Sequence, residues 1–172
     1  MKATKLWVLG LAFLLAAAPA AAIENRLGVG IHSWRTADEV LDDPMAEDES
    51  NLAAVLSYQL VLFRPLKVQV DLEFFPNGFG GSGEEAWSPE GLIVVGDRFY
   101  AAVGAGWIYS QDLEGNLSDV IYIARLGVDL PILPRLRLDV SADQRAADVS
   151  ALTEADEDTI TFAAVLRLTL TP

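Results

Sequence analysis

The chain has 172 residues, a length that suits one domain. Its formal net charge is −13 at pH 7, which repels a phosphate backbone, so we expect no nucleic-acid partner. It contains no cysteine, which excludes disulfides and thiolate metal sites.

The first segment of the chain has the pattern of an export signal. Two lysines precede an apolar run at 6–18, and three alanines at 20–22 supply a cleavage site of small residues. This order is typical of a secretory signal peptide. The alternative, a membrane anchor, would need about 20 apolar residues. We therefore predict a signal peptide at 1–22 and one mature domain at 23–172.

The mature chain has the pattern of extended segments almost throughout. In residues 66–75, Leu, Val and Phe alternate with Lys, Gln, Asp and Glu, which is the period of a half-buried strand. Helical spacing is poor everywhere. The predicted strands are 26–35, 51–63, 66–75, 91–95, 99–110, 119–130, 135–146 and 159–171.

The connections between these strands alternate between long and short. The tight turns are 64–65, 96–97 and 131–134, and the long loops are 37–50, 76–90, 111–118 and 147–158. Side chains alternate sides along a strand, and residues paired across a hairpin point to the same side. This rule, called parity below, predicts the hairpin pairs Leu62 with Leu66, Val94 with Phe99, and Leu130 with Leu136. Eight antiparallel strands with one shared apolar face predict an all-β fold in which 23–172 form a closed eight-stranded up-and-down β-barrel.

The direction of the apolar face decides the class of barrel. A soluble periplasmic, lipocalin-like barrel turns this face inward around an apolar ligand, whereas a transmembrane barrel turns it toward lipid and keeps a polar lumen. The long loops, together with Asp119 next to the third of them, hold 18 of the 25 Asp and Glu residues and no Lys or Arg. The polar strand faces instead balance the two signs, as buried charge requires. We predict a transmembrane barrel, with the soluble barrel as the alternative.

The polar strand faces supply the first set of candidate residues. They combine charged side chains with glycines and alanines, which leave room for long arginines inside a barrel of eight strands. We predict a network of paired charges that closes the lumen. Its members are Lys67, Asp71, Glu73, Arg125, Asp129, Arg137, Asp139, Asp143 and Arg167.

The signal peptide, the eight alternating strands, the tight turns and the acidic loops together resemble the small outer-membrane barrels of the OmpX and OmpA-membrane-domain type. The resemblance implies a bacterial outer-membrane location, with the termini in the periplasm and the acidic loops at the cell surface. It also implies contact with outer-membrane lipid and lipopolysaccharide, and insertion by the outer-membrane assembly machinery. Such proteins usually end in an aromatic residue, whereas this chain ends in Pro172. We expect a monomer.

His32 is the single histidine of the chain and the candidate for catalysis. By parity it lies on the polar face, where a lipid-modifying barrel enzyme could use it with a serine and a carboxylate. The lipid A deacylase family carries a His-x-Ser pair, but here Ser33 and Trp34 follow the histidine. We expect a non-enzymatic protein with a structural or surface-interaction role, and the alternative is a lipid-modifying hydrolase that uses His32.

The first long loop is the candidate for cation binding. It holds enough carboxylate oxygens for calcium or magnesium, but it lacks the spacing of an EF-hand loop. We expect no cofactor other than weakly bound divalent cations. The residues concerned are Asp38, Glu39, Asp42, Asp43, Glu47, Asp48 and Glu49.

Overall fold

The computed structural model describes residues 24–34, 52–76, 84–111, 113–153 and 160–171. The predicted signal peptide at 1–22 lies outside these ranges and stays a prediction. Among the described residues, no helix is long and apolar enough to cross a membrane.

The described ranges consist mainly of strands. These are β1 (Glu24–Ser33), β2 (Leu52–Phe63), β3 (Leu66–Phe75), β4 (Ala86–Gly96), β5 (Phe99–Gly106), β6 (Tyr109–Ser110), β7 (Ile121–Leu133), β8 (Leu136–Ala146) and β9 (Ile160–Thr171). Short 3-10 turns at Glu114–Asn116 and Ala151–Thr153 lie in two of the long connections.

The strands form one antiparallel sheet that closes on itself. Neighbours follow the order β3-β2-β1-β9-β8-β7-β5-β4, and β3 also pairs with β4. β5 and β6 pair with β4 in one register and act as a single barrel strand. The ladder is interrupted opposite Pro89, which has no N–H to donate. The described strands therefore form a closed eight-stranded barrel, which confirms the predicted fold class.

The two faces of the barrel differ sharply in polarity. On the inner face, Arg167 and Asp143 have no exposed surface. On the outer face, Val29, Val103 and Leu126 are 61%, 60% and 68% exposed. Water disfavours such an apolar surface and lipid accommodates it. A lipocalin-like barrel would have the reverse arrangement, so the soluble alternative is wrong.

The turn between β4 and β5 differs from the prediction. A turn at 96–97 was expected to pair Val94 with Phe99, but Val94 pairs with Ala102. Gly96 has a φ of +129°, a conformation that requires glycine, and β4 continues to this residue. The shift is an odd number of residues, so it exchanges the two faces of β4. Val94 therefore points into the lumen, and its neighbours along the strand point outward.

The other two tight hairpins keep their predicted faces. Between β2 and β3, a bulge pairs Phe63, and not Leu62, with Leu66. Between β7 and β8, Leu130 pairs with Leu138, two positions beyond the predicted partner. Both predicted pairs are wrong in detail. Beyond the bulge, however, β2 and β3 pair in the predicted register from Val61 with Lys67 onward. The slip of two residues between β7 and β8 leaves every side chain on its original face.

β4 begins earlier than the sequence predicted. Residues 76–90 were expected to form a loop and 91–95 a strand, but β4 spans Ala86–Gly96. Ser88 and Glu90 are buried on its inner face. The prediction failed because the proline between them and the nearby charges are typical of a loop. Glu90 therefore belongs to the lumen, and it is not part of the acidic loops.

Candidate functional site in the barrel lumen

Arg125 lies at the centre of one group of buried charges. Its Nε and Nη2 atoms donate to both carboxylate oxygens of Asp143, at 2.7 and 2.6 Å. Its Nη1 atom donates across the lumen to Asp71 at 2.8 Å, and Glu90 Oε2 lies 3.8 Å from Nη2. Bidentate charge-assisted hydrogen bonds are among the strongest polar contacts in proteins. Arg125 therefore ties β7, β8 and β3 together.

Arg145 forms a second group nearer the long loops. Its Nη2 atom lies 2.9 Å from Glu73 Oε1, and its Nη1 atom lies 2.8 Å from Glu90 Oε1. The guanidinium also lies 4.2 Å from the centre of the Trp34 ring, a cation-π contact. Glu90 takes part in both groups, so the charges around Arg125 and Arg145 form one connected network.

His32 belongs to the group around Arg145 and has no exposed surface. Its Nδ1 atom lies 2.7 Å from Glu73 Oε1, and its Nε2 atom lies 2.9 Å from the Thr161 hydroxyl. A hydroxyl, an imidazole and a carboxylate in this order can activate a nucleophile. The Thr161 hydroxyl, however, donates to the main-chain carbonyl of Asp143 at 3.3 Å, and Thr161 is 5% exposed. These contacts fit a structural role better than attack on a lipid.

A third group lies between Arg125 and the end of the barrel that carries the tight turns, called here the short-turn end. Arg167 Nη1 lies 2.6 Å from Asp139 Oδ2. The Tyr100 hydroxyl donates to the other oxygen, Oδ1, at 2.8 Å, and Arg167 Nη2 donates to the Ser57 hydroxyl at 3.4 Å. The Asp139 carboxylate is thus contacted from both β5 and β9.

A fourth group surrounds Asp129 at the short-turn end. Its Oδ2 atom accepts a hydrogen bond from Arg26 Nη1 at 2.8 Å, and its Oδ1 atom accepts one from Arg137 Nε at 2.7 Å. Lys67 Nζ lies 3.8 Å from Oδ2. The Gln59 side chain also accepts from Arg26 Nη1, at 3.0 Å. The Asp129 carboxylate therefore contacts three cationic side chains.

The structure places all nine residues of the predicted network on the inner face, each in at least one ion pair. The predicted network omitted Arg26, Glu90 and Arg145, although Arg145 shares the inner face of β8 with the predicted Asp143. Parity with Gly28 and His32 on β1 could have placed Arg26 on the inner face. Glu90 gave no such signal, because the residues around it have the composition of a loop.

The predicted cation-binding residues at 38–49 lie outside the described residues, so that prediction stays a prediction. In the ranges that the structure describes, no group of three or more His, Asp or Glu side chains could hold a metal ion. The expectation of weak divalent-cation binding therefore rests on the sequence alone.

Comparison with known proteins gives matches among solved structures. No family model and no curated protein matches the chain. The de novo designed protein TMB2.3, solved by solution NMR, aligns with a TM-score of 0.50 and 12% identity over 90% of this chain and 100% of its own. The crystal structure of the Neisserial surface protein A (NspA) aligns with a TM-score of 0.42 and 14% identity over 84% of this chain and 94% of its own.

The likeness to the designed protein supports the fold, and the two faces define its class. Apolar side chains cover the outside, and ion pairs fill the inside. A closed barrel leaves no strand edge unpaired, which is the condition for strands to cross a bilayer. The protein is a closed eight-stranded transmembrane β-barrel.

Gly127 marks a tight contact inside this barrel. It pairs with Tyr100 across β5 and β7, and a Cβ atom at this position would collide with the Tyr100 ring. We expect Gly127→Ala to push the ring away from Asp139 and to lower the free energy of unfolding by about 1–3 kcal/mol, as overpacking does. Urea unfolding in lipid vesicles measures the change. Gly91→Ala is the matched control, because no atom lies within 4 Å of a Cβ there. An equal loss in both variants would contradict the prediction.

Proposed function

We propose that the protein is a non-enzymatic outer-membrane barrel that anchors acidic loops at the cell surface, with a structural or surface-interaction role. The observation that carries this proposal is the filled lumen. Arg125, Arg145 and Arg167 cross it, and their side chains are 3%, 7% and 0% exposed. The interior of an eight-stranded barrel is just filled by side chains. Such a lumen favours an anchor over a pore.

Further features support the outer-membrane location. The N-terminal sequence has the pattern of an export signal. β1 and β9 pair with each other, and Asn25 near the start of β1 pairs with Thr171 at the end of β9. Both ends of the barrel chain therefore lie at the short-turn end, which would face the periplasm in an outer-membrane barrel. Lipid and lipopolysaccharide would surround the apolar face, and the outer-membrane assembly machinery would insert the chain.

A conductance measurement tests the anchor role. We expect the purified protein in a planar bilayer to show no stable conductance, because the buried ion pairs occupy the space that water and ions would need. A porin reconstituted in the same way is the positive control. A steady conductance from the folded protein would contradict the proposal.

Surface display is tested by chemical labelling, since the chain has no cysteine of its own. We expect Glu47→Cys, in the first acidic loop, to react with a membrane-impermeant maleimide on intact cells. Arg98→Cys, at the turn between β4 and β5, should react only after the outer membrane is permeabilised. The two variants are controls for each other. Labelling of Arg98→Cys on intact cells without labelling of Glu47→Cys would reverse the proposed orientation.

A further inference from the structure

The short-turn end of the lumen opens into a cavity of about 620 Å³, called here the vestibule. Five cationic residues line it: Arg26, Arg64, Lys67, Arg98 and Arg137. Two carboxylates, Asp97 and Asp129, line it with them, and Glu24 pairs with Arg26 from outside the lining, so the cations remain in excess. This excess of positive charge occurs in a chain whose net charge is −13. The vestibule therefore has the opposite electrostatic character to the rest of the protein, and it would attract an anion.

Lys67 is the buried cation with the longest polar contacts in the vestibule, and its ammonium also lies 5.6 Å from the centre of the Tyr100 ring. Its side chain is 3% exposed, and its ammonium carries three donors. The ammonium makes a long hydrogen bond, at 3.4 Å, to the main-chain carbonyl of Asp97. The nearest carboxylate, Asp129, is 3.8 Å away and already accepts closer bonds from two arginines. A buried ammonium with such distant acceptors favours a further anionic partner.

Two exposed arginines extend the same surface to the rim. Arg64 and Arg98 lie on the turns after β2 and β4. Neither forms an ion pair with another residue in the described part of the chain. Guanidinium groups match the geometry of phosphate oxygens through paired N–H donors. The rim and Lys67 together thus supply the donors for an anion with several oxygens.

An apolar groove on the outer face adjoins the vestibule. It has a volume of about 440 Å³, and its lining includes Leu126, Val128 and Val140. Phe99 lines both the groove and the vestibule and is 78% exposed. A phosphate held at the vestibule could therefore belong to a molecule whose hydrocarbon chain lies in the groove. We propose that the vestibule binds a phosphate group, with the headgroup of an anionic phospholipid as its source.

Calorimetric titration in dodecyl maltoside, a phosphate-free detergent, tests this site independently of the surface role proposed above. One arm titrates inorganic phosphate and the other titrates dihexanoyl phosphatidylglycerol. We expect Arg64→Gln/Arg98→Gln to weaken phosphatidylglycerol binding by about tenfold or more, because two phosphate contacts are lost. Arg135→Gln is the matched control, since Arg135 is exposed at the same end but does not line the vestibule.

The outcomes separate the two sources of phosphate. Tighter binding of phosphatidylglycerol than of inorganic phosphate supports a lipid headgroup, and equal binding supports a phosphate site that free phosphate fills. The proposal would be overturned if the protein bound neither inorganic phosphate nor phosphatidylglycerol. It would also be overturned if Arg135→Gln weakened phosphatidylglycerol binding as much as Arg64→Gln/Arg98→Gln does. Lys67→Gln provides a second test, with folding verified by heat-modifiable gel migration. If this folded variant bound both ligands like the wild type, the site would not be in the vestibule.

Discussion

Replacing Arg125 with methionine is expected to lower the free energy of unfolding by about 3–5 kcal/mol, the usual cost of removing one partner from a buried ion pair. Arg125 holds Asp143 through two hydrogen bonds and Asp71 through a third. Methionine fills much of the same volume, so the loss would come from unpaired buried carboxylates and only slightly from packing. Urea unfolding of the protein in lipid vesicles measures it.

Two further variants make the Arg125 result decisive. Arg135→Met removes an exposed arginine from the turn before β8 and should change the free energy of unfolding by less than about 0.5 kcal/mol. Adding Asp71→Asn and Asp143→Asn to Arg125→Met should recover part of the loss, because neutral amides do not require a buried counter-charge. A loss below about 1 kcal/mol in Arg125→Met would show that water reaches these carboxylates.

The alternation of buried and exposed residues along the strands explains how much of the fold can be predicted from the sequence. In β3, the residues from Lys67 to Phe75 are buried at every second position, as the sequence pattern predicts. β9 repeats this alternation from Thr161 to Arg167. The two faces meet different surroundings along the whole strand, so each strand carries the period of two. This is why eight strands, and the inner faces of all of them except β4, can be predicted without any knowledge of a relative.

The same argument explains why the β4–β5 turn was predicted wrongly. Leu92 and Val94 point into the lumen, where they pack with Tyr100, Ala102 and Ile123 in an apolar cluster. The inner face of β4 is therefore apolar here, like the outer face. Parity carries no information about a segment that is apolar on both sides, and the register depends on the glycine conformation at the turn.

The partners of the charged residues also lie beyond sequence reasoning. Arg26 binds Asp129, which is 103 positions away in the chain, and Arg125 binds Asp71, which is 54 positions away. Parity predicts that such residues face the lumen, but it does not give their height along the barrel axis. That height depends on the stagger of all eight strands, and long side chains can reach across the lumen to more than one strand. The pairing is therefore a property of the closed barrel.

The outer face leads to a second large effect, at Leu126 on β7. This side chain is 68% exposed and pairs with Ala101 and Ala142, so no carboxylate lies beside it on the neighbouring strands. We expect Leu126→Arg to lower the free energy of unfolding in lipid vesicles by about 2–4 kcal/mol, the cost of an arginine on the lipid face near the bilayer midplane. Urea unfolding of the vesicle-inserted protein measures the loss.

Leu133→Arg is the matched control, because Leu133 is 59% exposed at the end of the same strand, beside the short turn. An arginine there can extend its charge to the headgroups and should cost about 0–1 kcal/mol. Exposure alone cannot produce this difference, because exposed substitutions in water usually change stability by within about 0.5 kcal/mol. A larger loss in the free energy of unfolding for Leu126→Arg than for Leu133→Arg would therefore show that Leu126 lies deeper in lipid. Equal and small losses would mean that water surrounds the apolar face, which would contradict the transmembrane barrel.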